Sequence, residues 1–192
     1  MEEFLEIQYP LGGMGQHLYW LLSLSSSIEW KKDPLMSKKQ FILKFIYNSK
    51  RIVNWSKDEV EWHHKWISGY VLFNHDPSIW HAYKPNWKVI RIVPDNPPLI
   101  AKLASVKSYT FADKEKECLE HIEWWNKILP IIPIFKNVLH ISFNDLLKCD
   151  QKMFVNICVF LQIPPTDELY KDWLKIHEQW ILLNKQIVSF DT

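Results

Sequence analysis

Glycine is almost missing from this chain, with four residues in 192. Arginine is scarcer still, two against 21 lysines. With frequent Asn and Ile, that bias follows from an AT-rich genome and needs no functional cause. The three cysteines, Cys118, Cys149 and Cys158, are odd in number and irregularly spaced, and no CxxC is present. They point to neither a disulfide framework nor a zinc ribbon, and they suit a reducing compartment. No apolar run reaches membrane-spanning length and no secretory h-region opens the chain. The expected location is therefore cytoplasmic, or the host cytoplasm for a viral protein. A formal net charge of +1 lacks the basic surplus on which general nucleic-acid binding rests. There is no G-x-S-x-G elbow, no HExxH and no carboxylate pair of the glycosidase kind.

The few glycines that exist are concentrated. Gly12, Gly13 and Gly15 stand in Tyr9-Pro10-Leu11-Gly12-Gly13-Met14-Gly15-Gln16-His17, and Gly69 is the only other. Such a cluster indicates a need for positive φ or for close approach to the main chain. Before it, Phe4 to Tyr9 alternates like a strand. After it, Leu18 to Ser25 reads as a buried helix. A strand, a glycine loop and a helix N-terminus gather N–H groups and the positive end of a helix dipole, which together receive an anion. The same sequence also serves as a tight strand-to-helix turn, and both readings stand at this point. The loop is not a Walker A, which requires GxxxxGK[ST]. It is not G-x-G-x-x-G either, since Leu18 occupies the third glycine position.

The remaining chain reads as one domain, 1–192, large enough for a hydrophobic core. Helices are expected over 37–47 with Ser37 as N-cap, over 56–67 with Ser56 as cap, and over Pro98 to Val106. Further helices are expected over 114–129, over 151–161, and from Thr166 to about Asn184. Strands are expected at 71–73, 87–93 and 138–143, the second of them stopped by Pro94. Asn144-Asp145 reads as a turn. Alternating strands and helices predict an α/β fold, a mostly parallel sheet flanked by helices. Ligands in such sheets bind at the carboxyl ends of the strands, where the glycine loop, His75-Asp76 and the 94–98 turn all fall.

His75 follows a predicted strand directly and is placed to act as a general base; as one of eight histidines it is equally a surface or packing residue. Lys31 to Lys57 holds eight basic residues and a single acid, Asp33. That block is either a favourable field for an anion or a solvated surface. His63-His64 point to different faces of a helix, and Cys118-x-x-His121 lacks a second ligand pair, so no metal site is expected. The eleven tryptophans read first as core and core-rim packing. An aromatic surface patch would instead mark a protein partner.

The order of these elements resembles the sulfotransferase family. The matching segments are Gly12-Gly13-Met14-Gly15-Gln16-His17, Asn74-His75-Asp76-Pro77 and Lys88-Val89-Ile90-Arg91-Ile92-Val93-Pro94-Asp95-Asn96-Pro97. They continue with Ile141-Ser142-Phe143-Asn144-Asp145-Leu146-Leu147 and Phe160-Leu161-Gln162-Ile163. The resemblance implies a P-loop-like fold and 3′-phosphoadenosine-5′-phosphosulfate as donor, a nucleotide whose sulfuryl group passes to an acceptor hydroxyl or amine. It implies that the loop from Gly12 through Met14, Gly15, Gln16 and His17 holds the phosphosulfate and that His75 takes the acceptor's proton. Lys88, Arg91 and Lys107 become the cationic candidates for donor phosphates, and Ser105, Lys107 and Ser108 the stand-ins near the family's serine. The chain departs from the family where the loop has no Lys or Arg, where Arg91 lies inside the strand, and where Asn144 replaces a glutamate. These departures fit a small, phage-type member with altered or lost catalysis. They also fit a non-catalytic viral binding or assembly protein on the same fold. The segment Gly12 to Tyr19 also resembles the glycine loop of α-1,2-fucosyltransferase-like glycosyltransferases, which need a second domain that 192 residues leave no room for.

Overall fold

The computed structural model describes residues 4–22, 71–75, 77, 87–107, 114–133 and 135–188. The expected helices at 37–47 and 56–67, the basic block and Asp76 lie outside them. Four strands, β1 (Phe4–Gln8), β2 (Val71–Asn74), β3 (Trp87–Val93) and β4 (Val138–Ser142), form a parallel sheet in the order β2-β1-β3-β4. β1 pairs with both β2 and β3. The chain that follows it therefore leaves from within the sheet's carboxyl edge rather than from its rim.

Six helices are described: α1 (Gly15–Leu22), α2 (Pro97–Lys107), α3 (Lys114–Ile128), α4 (Phe143–Leu147), α5 (Gln151–Leu161) and α6 (Asp167–Asn184). The parallel sheet with flanking helices makes the described part α/β, as expected from the sequence. Among the described residues no helix is long and apolar enough to cross a membrane.

Side-chain alternation gives the sheet two different faces. Leu5, Ile7, Ile90, Ile92 and Ile141 share one face through the registers Ile7↔Ile90 and Ile92↔Ile141. They pack with Leu18, Leu21 and Leu22 of α1, Ile100 and Leu103 of α2, and Trp173 and Ile176 of α6 in one continuous core. Each such aliphatic side chain taken fully out of water contributes about 1.5–3 kcal/mol. The other face carries Glu6, Gln8, Arg91 and His140, with a small apolar patch of Val89, Ile132, Phe135 and Val138 beside them.

Local capping fixes where the helices begin and end. Pro97 opens α2, where a missing N–H is harmless, and the Asn96 side chain accepts from Leu99 N–H at 3.4 Å. The Ser142 hydroxyl accepts from Asp145 N–H, so the segment expected to turn at Asn144-Asp145 is instead the short helix α4. Asp150 caps α5 through Met153 N–H. Gln162, in the left-handed region, ends it just before Pro164-Pro165. Thr166 caps α6 through Leu169 N–H, with Asp167 and Glu168 in its first turn, where their charge suits the helix dipole.

The loop between β1 and α1 is a built turn. Gly13 N–H donates to the Pro10 carbonyl at 2.8 Å, and Gly12 has φ +82°, the signature of a type II turn. Helix α1 begins at Gly15, three residues earlier than the apolar run indicates, because Met14 caps it. Met14 has φ 61° and its carbonyl accepts from Leu18 N–H at 2.9 Å. At Gly12 a side chain would run into the Ile100 carbonyl and approach Ala104 N to 2.9 Å; at Gly15 it would overlap the Tyr9 ring. The absent Cβ atoms let α2 and Tyr9 close on the loop. Gly12→Ala should therefore cost at least about 2 kcal/mol from the disfavoured φ and the overlap with α2, read from urea unfolding. A loss below about 0.5 kcal/mol would show that α2 does not rest on this glycine.

Candidate functional site

Polar groups from three elements meet at the carboxyl end of β1. Leu18 N–H is the first α1 amide to find a carbonyl one turn back, that of Met14. The amides of Gly15 and Gln16 thus sit in the first turn, where the helix offers no acceptor, at the positive end of its dipole. The Gly13 amide is committed to Pro10. With Gly13 so committed, Met14, Gly15 and Gln16 are the loop amides that remain as candidates for an anion.

His75 stands beside it, exposed. Its Nδ1 lies 3.0 Å from the Tyr9 carbonyl, an acceptor, so Nδ1 carries the proton and the neutral ring's basic nitrogen is Nε2. The imidazole meets the Tyr9 ring edge to face at 4.6 Å, and Tyr9 in turn covers Gly15. Trp125 of α3 donates its indole N–H to the His75 carbonyl at 2.8 Å, and the Cys118 thiol of the same helix reaches the Leu11 carbonyl at 3.2 Å. His75, Tyr9 and the glycine loop thus form one contiguous edge held by α3.

Arg91 is not part of that edge. It is 1 % exposed on the polar sheet face. Its Nε donates to Gln8 Oε1 at 2.8 Å, one terminal nitrogen lies 3.3 Å from His140 Nε2, and the other reaches the Pro77 carbonyl at 3.5 Å. Burial pulls its pKa below the usual value, and the neighbouring Glu6 carboxylate opposes that. Glu6 and Gln8 are themselves completely buried. His140 is held below the usual imidazole range by desolvation and by the charge of Arg91, so it accepts from the guanidinium as a neutral ring. Lys88, three residues earlier in β3, stands on the opposite sheet face from Arg91 by alternation.

Three other candidates are also dispersed. The His17 ring is buried between α1 and α6, its Nε2 3.1 Å from His177 Nδ1 and tilted over Trp180 at 4.9 Å. The Ser105 hydroxyl turns back to its own helix, donating to the Lys102 carbonyl at 2.8 Å. Lys107 is the last residue of α2. Between β3 and β4, Asp95 accepts from the Ser142 hydroxyl and from Asn144 N–H, and Asn96 donates to Asn144 Oδ1 at 3.1 Å. Asn144 therefore helps to lace this part of the edge together.

The cysteines are not nucleophiles. All three are buried and free, and burial pushes the thiols up to about 11 for Cys118 and Cys158 and about 12 for Cys149, far from thiolate at neutral pH. Among the described residues no group of three or more His, Cys, Asp and Glu side chains is disposed to hold a metal ion. Trp125, Trp173 and Trp180 are core residues, and Trp124 reaches the surface at 36 % exposure, stacked on His121 at 5.6 Å. Comparison with family models, with curated proteins and with solved structures found no match.

Two groups were missed by sequence reasoning. The polar row of buried Glu6, Gln8 and Arg91, ending on the exposed His140, had a signal in β1, polar residues at period two, but that pattern ordinarily marks a solvent face. His177 had none, because nothing local pairs position 17 with position 177.

Two outcomes follow from these burials. Arg91→Met removes the guanidinium from Gln8 Oε1 and from beside the Glu6 carboxylate and should cost about 3 kcal/mol in urea unfolding; a near-neutral result would show that these buried groups do not depend on it. His177 titrates at about 4 in the folded chain because burial disfavours its charged form, against about 6.5 unfolded. Between these values the unfolded chain binds the extra proton, so stability is full at pH 7 and falls by about 2 kcal/mol on going to pH 5. His177→Gln should remove that part of the pH slope in urea midpoints measured from pH 7 to 5. An unchanged slope would assign the loss to other groups.

Proposed function

We propose that this protein is a sulfotransferase-like α/β protein whose sheet edge binds the phosphosulfate end of 3′-phosphoadenosine-5′-phosphosulfate and passes the sulfuryl group to an acceptor hydroxyl or amine. The observation that carries the proposal is the juxtaposition of His75 with the glycine loop. The ring, oriented by Nδ1 on the Tyr9 carbonyl, meets the Tyr9 ring that lies against Gly15 at the start of α1. In the reaction the acceptor oxygen or nitrogen attacks sulfur, the bond from sulfur to the 5′-phosphate oxygen breaks, and adenosine 3′,5′-bisphosphate leaves. The acceptor's proton passes to His75 Nε2. Catalysis of this kind rests on in-line positioning and on stabilising charge at the transferring group, as in phosphoryl transfer. The amides of Met14 to Gln16 supply oriented dipoles for that charge.

The loop contributes no cation, and Arg91 is spent on Gln8, His140 and Pro77. Full positive charge is then sought in lysines elsewhere in the sequence, Lys107 and those from Lys31 to Lys57 included. Charges outside the loop are screened by salt over about 8 Å at physiological ionic strength, far more than a buried bidentate arginine would be. Donor affinity should accordingly be weak and steeply salt-dependent.

Calorimetric titration with adenosine 3′,5′-bisphosphate at low and high salt tests this. Binding at low salt that weakens at least about tenfold at high salt is expected. His75→Asn should leave that affinity within about twofold while abolishing transfer from a labelled donor. No binding at low salt would favour a non-catalytic interaction module on this fold. Tight, salt-insensitive binding would mean a buried cationic clamp.

A further inference from the structure

The side chain of His17 is turned away from the candidate ligand, but its position in the chain ties it to the site. It lies in the first turn of α1, two residues after Gly15. Helical side chains lean toward the N-terminus, so its ring is level with the turn that carries the Met14 to Gln16 amides. β1 and α2 fix the other sides of the loop, through Tyr9 on Gly15 and through Ile100 and Ala104 on Gly12. Toward α6, His17 Nε2 meets His177 Nδ1 at 3.1 Å. His177 also donates to the Leu147 main chain, at the end of α4. With Nδ1 facing His17, Nε2–H is the donor to Leu147, so Nδ1 is an acceptor and His17 Nε2–H points to it. Both rings lie against Trp180, at 4.9 and 6.2 Å. The result is a directed line of donors, from His17 to His177 to Leu147, that joins the start of α1 to the last helix and to the end of the β4–α4 unit.

We propose that His177 is a positioning residue for the glycine loop, acting through His17, so that α6 sets the geometry of the loop's first-turn amides. It rests on the loop being the anion-binding element. A purely structural buried pair would stabilise the whole fold evenly. A positioning pair acts locally, because α1 is only 8 residues long and its N-terminal turn has no helical acceptors of its own.

Three variants test this. His177→Phe keeps an aromatic ring against Trp180 and removes both nitrogens. His177→Gln keeps an acceptor for His17 and a donor for Leu147. His177→Asn keeps the amide on a side chain one methylene shorter. Amide hydrogen exchange is read at Gly12, Met14, Gly15 and Gln16, with amides of α5 as reference, alongside the affinity for adenosine 3′,5′-bisphosphate. His177→Phe should raise exchange at the loop about tenfold relative to α5 and weaken nucleotide binding by a similar factor, and His177→Gln should restore both. If the Phe variant does not fold cooperatively, the Asn variant decides, with an expected rise of about threefold at the loop. Exchange that rises equally in α5, or does not rise at the loop in a folded variant, overturns the proposal. Failure of the wild-type protein to bind the nucleotide would instead sink the anion-binding reading, while the exchange data would still decide the role of His177.

Discussion

A guanidinium taken out of water costs several kcal/mol unless its donors and its charge are answered close by. Arg91 is answered by neighbouring strands. Gln8 in β1 accepts from Nε, His140 in β4 accepts from one terminal nitrogen, and the Glu6 carboxylate of β1 lies near enough to support the charge. The registers Gln8↔Arg91 and Arg91↔His140 bring those groups side by side on one face. A slip of one residue would turn each of them into the apolar core on the other face. The polar row around buried Arg91 thus favours a single register for the middle of the sheet, and that register determines where β1 ends and the glycine loop begins.

From that fixed point the edge is assembled by close approach more than by charge. Gly12 admits the backbone of α2, Gly15 admits the ring of Tyr9, and Tyr9 meets the ring of His75. Trp125 and Cys118 bring α3 against the same stretch through the carbonyls of His75 and Leu11. The start of α1 is thus packed on several sides. Such preorganisation lets dipoles act on a ligand without rearranging when it arrives.

Much of the scaffold was legible in the sequence because it rests on local patterns. Trp87 to Val93 reads as a strand and is one from end to end, and Asp150, Thr166 and the proline pair 164–165 punctuate α5 and α6 as their chemistry dictates. The three glycines mark the loop between β1 and α1, but not how each is used within it. Positive φ falls on Gly12 and Met14, while Gly15 is required by a neighbouring ring that no local pattern reveals. Candidate residues failed to converge for a similar reason. Arg91 and His17 are suited to an anion by residue type, but tertiary partners 83 and 160 residues away in sequence claim their side chains. His75 converged because a residue that ends a parallel strand must lie at the carboxyl edge whatever else surrounds it.

The most direct measurement is a map of backbone amide shifts in 15N-labelled protein titrated with adenosine 3′,5′-bisphosphate at low salt. An anion seated on the loop should move the Met14, Gly15 and Gln16 amides and the His75 ring most, with the Gly13 amide, held by Pro10, moving less. Shifts that spare the loop and gather on the exposed face of α3 around Trp124, or no shifts at all, would contradict the assignment of this edge as the binding site.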